Sequence, residues 1–188
     1  MPALLPRPAA GACAAFRGDA EAVAATLECD VAYLDPPYNQ HSYLRNYHVW
    51  ETLVRWDRPE VYGVACKRAD CRTRVSLFNS RPGIGPALER TIAALRSCPT
   101  LVVSFNDEGY LPRAELERML GARAAHLHVV EIPYGRYVGA KIGIHNPRGE
   151  RVGTVGHLTN LEHLFVASDR KLDLPAAATG VAACVAAA

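Results

Sequence analysis

The fold of this chain is decided by residues 31–39, which read Val-Ala-Tyr-Leu-Asp-Pro-Pro-Tyr-Asn. Four apolar residues between two aspartates have the length and composition of a buried strand in a parallel sheet. Pro36 and Pro37 then end the strand, because a proline lacks an N–H group and keeps the residue before it extended. The sequence therefore predicts a stiff turn at the carboxyl end of a strand, where open α/β sheets have their ligand crevice.

The turn combines three groups that suit a planar heterocycle carrying an amino group. The Asp35 carboxylate and the Pro36 carbonyl can accept its two N–H bonds, and the Tyr38 ring offers a face for stacking. Stacking of a base on an aromatic ring contributes about 1–3 kcal/mol. Residues 35–38 resemble the Asp-Pro-Pro-Tyr catalytic motif of amino-group nucleic-acid methyltransferases.

Further blocks, in the same order, are similar to the Dam-like branch of adenine-specific DNA methyltransferases. They are residues 39–52, 76–81, 136–143 and the last predicted strand within 157–165. The resemblance extends over residues 18–168 and implies methylation of the exocyclic amine of adenine at specific DNA sites. It also implies that S-adenosylmethionine provides the methyl group and that the target base is rotated out of double-stranded DNA.

The resemblance gives the catalytic role to Asp35, Pro36, Pro37 and Tyr38. A carboxylate is too weak a base to deprotonate a neutral arylamine, so Asp35 is expected to orient the amine and to stabilise the positive charge developing on it. Asp19 would lie near the adenosine end of the cofactor. The residues alone leave open another reading of Asp19, as the cap of a helix that begins there. No metal ion is required.

Residues 62–86 are rich in arginine and are predicted to form a loop. Such a run commonly forms a solvated surface, but its place soon after the motif favours contacts with the phosphates that flank a flipped base. The planar guanidinium group matches phosphate oxygens well. The candidate DNA-binding residues are Lys67, Arg68, Arg72, Arg74, Asn79, Arg81 and Arg136.

The composition fits one globular domain, with 188 residues of which 49% are hydrophobic and 21% charged. A formal net charge of +2 means that nucleic-acid binding must depend on local basic patches. No apolar run approaches membrane-spanning length and no clear signal peptide is present, so we expect a cytoplasmic protein. The six cysteines lack zinc-site spacing and are predicted to be reduced thiols.

The predicted fold class is α/β, with an incomplete Rossmann-like methyltransferase sheet that is mostly parallel and carries a carboxyl-terminal antiparallel β-hairpin. Residues 1–17 are predicted to be a poorly ordered start, 18–168 a partial catalytic domain and 169–188 an alanine-rich tail. The predicted strands are 31–34, 101–105, 127–132, 134–144, 151–157 and 162–167. The predicted helices are one that begins near residue 19, then 42–57, 86–96 and 111–120.

Three local predictions accompany these elements. Tyr43, Tyr47 and Trp50 recur at helical spacing, which favours core positions over base-stacking positions. Residues 83–85 are bracketed by prolines and are placed in a loop. Gly121 is placed at the end of the helix before it.

The resemblance also implies a glycine-rich cofactor loop, an acid that holds the ribose and a target-recognition segment ahead of the motif. None of them is found in this sequence. The strand at 31–34 is therefore expected to expose an edge, which predicts either poor solubility of this chain alone or a separate chain that supplies the missing half. Two alternative functions stay open: an inactive remnant or DNA-binding half of a split methyltransferase, and an RNA amino-methyltransferase.

Overall fold

Residues 31–34 form the first strand, β1 (Val31–Leu34), in the computed structural model of this chain. The structure describes residues 10–135, 148–150, 152 and 159–174. The other strands are β2 (Val61–Tyr62), β3 (Lys67–Arg68), β4 (Thr100–Asn106), β5 (His126–Gly135) and β6 (Thr159–Ser168). The helices are α1 (Ala20–Ala24), α2 (Tyr43–Asn46), α3 (His48–Arg55), α4 (Arg81–Ala94) and α5 (Arg113–Arg123). Two short 3₁₀ segments lie at Ala69–Arg72 and Leu77–Asn79.

The main sheet of the described residues has four strands in the order β1-β4-β6-β5. β1 pairs in parallel with β4, whereas β6 lies between β4 and β5 and is antiparallel to both. The three strands other than β6 therefore point the same way. This confirms the predicted mixture of helices with a sheet that contains parallel strands. The predicted strands at 134–144 and 151–157 lie largely outside the described residues, and Tyr134 and Gly135 simply continue β5.

One face of the sheet carries the core. Leu101, Val103 and Phe105 alternate along β4 and are fully buried, as the two-residue period of a strand requires. They pack with buried apolar residues of α4 and α5, which include Ile84, Leu88, Leu116 and Leu120. Burial of a side chain of this kind stabilises the folded state by about 1.5–3 kcal/mol. β4 is thereby a rigid support for the neighbouring strand β1 and for the turn that follows it.

The helix predicted at 42–57 is divided into α2 and α3. Tyr47 leaves the helical region, with φ −114° and ψ 27°, and separates them. The side chains of Tyr43, Tyr47 and Trp50 are exposed, so the core positions predicted for them are wrong. Their helical spacing does mark one face of the helices, but that face points outward.

Glycine and proline residues led to two wrong predictions of helix boundaries. Residues 83–85, predicted as a loop, lie inside α4, which begins at Arg81. Pro82 fits there because the first N–H groups of a helix have no partner within the helix. Gly121 lies within α5 and not at its end. The segment 62–86 is also more ordered than a loop, since β2 and β3 pair as a small antiparallel hairpin.

Cys29 and Cys98 form a disulfide, which contradicts the prediction of reduced thiols for this pair. Their Cα atoms are 5.1 Å apart, within the usual range. The two cysteines precede β1 and β4, which run in parallel, so the bond joins the same end of two neighbouring strands.

Among the described residues, no helix is long and apolar enough to cross a membrane.

Candidate active site

The turn after β1 is held in place by Tyr110, which follows β4. The backbone N–H of Tyr110 donates to the carbonyl oxygen of Tyr38 at 2.8 Å. The Tyr110 hydroxyl donates to Oε1 of Gln40 at 3.2 Å. Tyr110 was not predicted from the sequence. The signal that could have identified it is the parallel pairing of β1 with β4, which brings the loops at the carboxyl ends of the two strands together.

Asn79 holds the chain immediately after the motif. Its side-chain amide donates to the carbonyl oxygens of Asn39 at 2.8 Å and of His41 at 3.4 Å. Both N–H bonds of the amide are therefore directed at the chain that follows the motif. Both donors of the Asn79 side chain are thus used within the protein, and the contact of Asn79 with DNA stays a prediction.

A cavity of about 560 Å³ lies beside β1 and takes in the first part of the motif. Asp35, Pro36 and Pro37 line it, and so does Asp19. Its remaining walls are mainly apolar, with Phe16, Val23, Leu27, Phe78 and Leu88 among them. Ligand pockets typically enclose about 300–1,000 Å³. The cavity thus brings together two acidic residues that the sequence assigned separately to the catalytic and cofactor-binding roles.

Asp19 is the N-cap of α1, as the alternative reading of the sequence predicted. Its Oδ1 atom accepts from the backbone N–H groups of Glu21 at 3.1 Å and Ala22 at 3.2 Å. Both capping bonds go to Oδ1, so Oδ2 is not used by the cap. Capping and a second role at the cavity are therefore compatible in one side chain.

Tyr38 points toward the core and does not line this cavity. Its ring lies 5.6 Å from that of Phe105, tilted by 54°. Burial, followed by the neighbouring Tyr134 and Glu162, raises the pKa of Tyr38 to about 12. The charge of Asp35 raises the pKa of Tyr38 in the same direction, but less than burial, Tyr134, Glu162 and Tyr43 do.

A cluster of polar side chains near Tyr38 was not predicted from the sequence. Asn106, at the end of β4, donates to the hydroxyl of Tyr134, and Ser104 donates to Glu162. These residues come from three strands that are far apart in the sequence, which is why spacing could not reveal them. Glu162 places a second carboxylate on the Tyr38 side of the motif.

Arg68, a predicted DNA ligand, is instead the centre of a buried ion-pair network, and its side chain is only 3% exposed. Its guanidinium donates to both oxygens of Asp57 at 2.6 and 2.9 Å and to both of Asp70 at 3.1 and 3.3 Å. A further bond of 3.1 Å reaches the hydroxyl of Thr52. All five N–H bonds of the group have partners, so Arg68 is not available to a phosphate. The same contacts lower the pKa of Asp57 and of Asp70.

The other cations that were predicted to bind DNA lie in different environments. Arg74 pairs with Glu51 at 2.9 Å and is partly exposed. Arg72 is exposed and lies over the ring of Tyr62, 4.0 Å from its centre. Lys67 is half-buried in β3. Arg81 is exposed, and its guanidinium lies 5.2 Å from the ring centre of Tyr110. Arg136 lies outside the described residues.

Comparison with known proteins gives the relatives of this chain. Residues 13–94 match the family described as D12 class N6 adenine-specific DNA methyltransferase. The chain is 30% identical over 124 residues to the Type II methyltransferase M.FokI of Planomicrobium okeanokoites, a match that covers 65% of this chain and 19% of the relative. It is 27% identical over 125 residues to Modification methylase StsI of Streptococcus sanguinis, a match that covers 65% of this chain and 19% of that relative.

A third relative is matched over more of its length. Type II methyltransferase M.NlaIII of Neisseria lactamica is 25% identical over 150 residues, which covers 80% of this chain and 43% of the relative. No solved structure matches the chain significantly. The matches thus span about a fifth of the first two relatives and less than half of the third. Over residues 13–94 this chain is related to the D12 class N6 adenine-specific DNA methyltransferases, which confirms the resemblance inferred from its sequence.

Proposed function

We propose that this chain carries the catalytic motif of an S-adenosylmethionine-dependent DNA methyltransferase that acts on the exocyclic amine of adenine. The observation that carries the proposal is the cavity beside β1, which Asp19 and Asp35 both line. The family match of residues 13–94 supports it, since that segment contains both acids. A rigid acidic turn at the carboxyl end of a strand is also a common place for ligands in α/β sheets.

The residues around the cavity fit the cofactor. Its volume of about 560 Å³ lies in the range of small-molecule sites. The apolar side chains of Phe16, Leu27 and Phe78 suit the flat adenine ring, and Oδ2 of Asp19 suits a hydroxyl or amino donor. When bound, S-adenosylmethionine supplies an activated methyl group.

The motif residues orient the target amine. Asp35 is exposed at the cavity, where its carboxylate can accept one N–H bond of an adenine amine. The carbonyl oxygen of Pro36 can accept the other, and Pro37 fixes the backbone that presents it. The carboxylate then stabilises the positive charge that develops on the nitrogen, which is electrostatic catalysis by a positioned group.

Adenine in a duplex must be rotated out of the base stack to reach this turn. The Tyr38 ring, which packs against Phe105 on the core side of the motif, would have to turn toward the cavity to stack on the flipped base. Arg72 and Arg81 are exposed cations on the segment that follows the motif and are the proposed phosphate contacts. Arg81 lies over Tyr110, which itself binds the motif turn, so its charge is close to the site.

We further propose that the sheet is one half of a Rossmann-like methyltransferase sheet, completed by a separate chain. β1 is at the edge of the described sheet and pairs on one side only, with β4. Tyr33 on this strand is 62% exposed and also lines the cavity. An open edge strand is a template for pairing with another chain. A partner strand placed there would also close the cavity that holds Asp19 and Asp35.

The test is transfer of a labelled methyl group to nucleic acid, with this chain alone and with bacterial extract as a source of a partner. We expect label in N6-methyladenine of duplex DNA. Label in structured RNA but not in DNA would reassign the substrate. Absence of transfer under both conditions, together with absence of heat on titration with S-adenosylmethionine, would contradict the proposal.

A further inference from the structure

Helix α3 is amphipathic in the opposite sense to an ordinary surface helix, because its apolar side faces solvent. Val49, Trp50, Leu53 and Val54 are all exposed, Trp50 by 64% and Val54 by 85%. At about 100° per residue these four positions span an arc of roughly 140°. We call these four residues the outer face of α3.

The polar side of α3 faces the protein. Thr52 accepts a hydrogen bond from the buried guanidinium of Arg68, and Glu51 pairs with Arg74. The helix is therefore attached to the β2–β3 hairpin by ion pairs and hydrogen bonds. The outer face takes no part in that attachment, so folding of the described residues does not account for its apolar character.

Aromatic residues next to the outer face enlarge the apolar surface. Tyr43 and Tyr47 stack on each other with ring centres 6.0 Å apart, and both are exposed. Trp56, at the end of α3, is 84% exposed. At about 200 Å² for each full side chain, the exposed parts of Tyr43, Tyr47, Trp50 and Trp56 amount to roughly 500 Å². Apolar patches of this size on a soluble protein commonly mark an interaction site.

The charges around α3 argue for a protein partner and against nucleic acid. The carboxylates of Glu51, Asp57 and Asp70 are paired with three arginines of the same cluster, Arg55, Arg68 and Arg74. The cluster is therefore electrically neutral. Nucleic-acid binding depends on unpaired cations that neutralise phosphates, and the outer face itself carries no charge.

We propose that the outer face of α3 docks on the same face of a second copy of this chain. A twofold interface needs a surface that complements itself, and an uncharged apolar helix face meets its own copy without repulsion between like charges. A standard interface buries about 800 Å² on each partner. The exposed aromatic side chains provide more than half of that area, and Val49, Leu53 and Val54 extend it. The inference is independent of the proposed function.

The chain offers a direct readout, because Trp50 and Trp56 are its two tryptophans. Sedimentation velocity and tryptophan emission would be measured on the full chain over a range of concentrations. The exposed Cys13 and Cys66 would first be alkylated to prevent crosslinking. We expect a rise from monomer to dimer mass, accompanied by a blue shift of emission as the indole rings leave water.

Val54→Lys is the decisive variant, since the exposed position can accept lysine in the free chain without disturbing the core. It should weaken dimerisation by at least about tenfold, because each dimer would bury two unpaired ammonium groups. Leu172→Lys, at an exposed apolar residue remote in sequence from α3, is the control and should leave dimerisation unchanged. Circular dichroism would verify that both variants are folded.

Three results would overturn the proposal. The wild-type chain could remain a monomer at every concentration. Its mass could rise without a tryptophan shift, or Val54→Lys could dimerise as well as the wild type. In the last two cases a different surface mediates the association.

Discussion

Removal of the Asn79 amide should loosen the turn that presents the motif. The shorter hydrogen bond, to Asn39, is 2.8 Å long and the second, to His41, is 3.4 Å, so the second is the weaker. A net contribution of about 1 kcal/mol for a normal hydrogen bond gives about 1–2 kcal/mol for Asn79→Ala. Asn79→Asp should cost at least as much, since its carboxylate would face two carbonyl oxygens with no donor between them.

The free energy of unfolding would be measured by urea denaturation followed by circular dichroism. Ser80→Ala is the matched control, because the neighbouring Ser80 is the N-cap of α4 but makes no side-chain capping bond, so it should tolerate alanine. Amide hydrogen exchange of residues 39–42 should rise in the Asn79 variants only. A cost for Asn79→Ala no larger than that for Ser80→Ala, or better tolerance of Asp than of Ala, would refute the reasoning.

Further predictions concern ionisation and the disulfide. Arg68 lowers the pKa of Asp57 in the folded protein. This ion pair therefore stabilises the fold above the ordinary aspartate pKa, and the stabilisation is lost as the pH falls through the lower pKa of the folded state. Arg68→Met should therefore weaken the dependence of stability on pH below about pH 4, and an unchanged acid unfolding curve would contradict this. The pKa of about 12 for Tyr38 implies that its contribution to stability is complete below pH 10, the ordinary tyrosine pKa, and is lost as pH rises to about 12. Tyr38→Phe should reduce that loss, and equal alkaline curves for variant and wild type would argue against it. The Cys29–Cys98 bond closes a separation of 69 residues, so Cys98→Ser should lower the free energy of unfolding by up to about 4 kcal/mol in the chain-entropy account. Non-reducing peptide mapping checks the bond itself, and recovery of both peptides as free thiols would show that it does not form.

The sequence was most informative where a pattern is local. The β1 strand was predicted at its observed bounds, because four apolar residues before Asp35 and two prolines leave few other conformations. Its predicted burial is wrong, since Val31 and Tyr33 are exposed on this edge strand. The N-cap at Asp19 was likewise visible as an acid before an apolar-spaced helix. The cores of β4 and β5 were also found, with errors of only one to three residues at their ends.

The sequence was least informative where the partner of a side chain is distant along the chain. Arg68 and Arg72 look alike in sequence, but only Arg68 is enclosed by carboxylates, because the hairpin folds it against α3. Helical spacing located the stripe through Tyr43 and Trp50 correctly but could not tell which side of the helix meets the protein. The spacing of cysteines gave no sign of the Cys29–Cys98 pair, since parallel strand pairing is what brings them together.

The central claim is that the Asp35 carboxylate orients a target amine beside a bound methyl donor, and methyl transfer by Asp35→Asn tests it most directly. Labelled methyl incorporation into adenine of duplex DNA would be measured together with calorimetric titration by S-adenosylmethionine. We predict that transfer by Asp35→Asn is lost while cofactor binding persists, because Asp19 and the apolar walls of the cavity remain. Transfer by Asp35→Asn at the wild-type rate would contradict the claim.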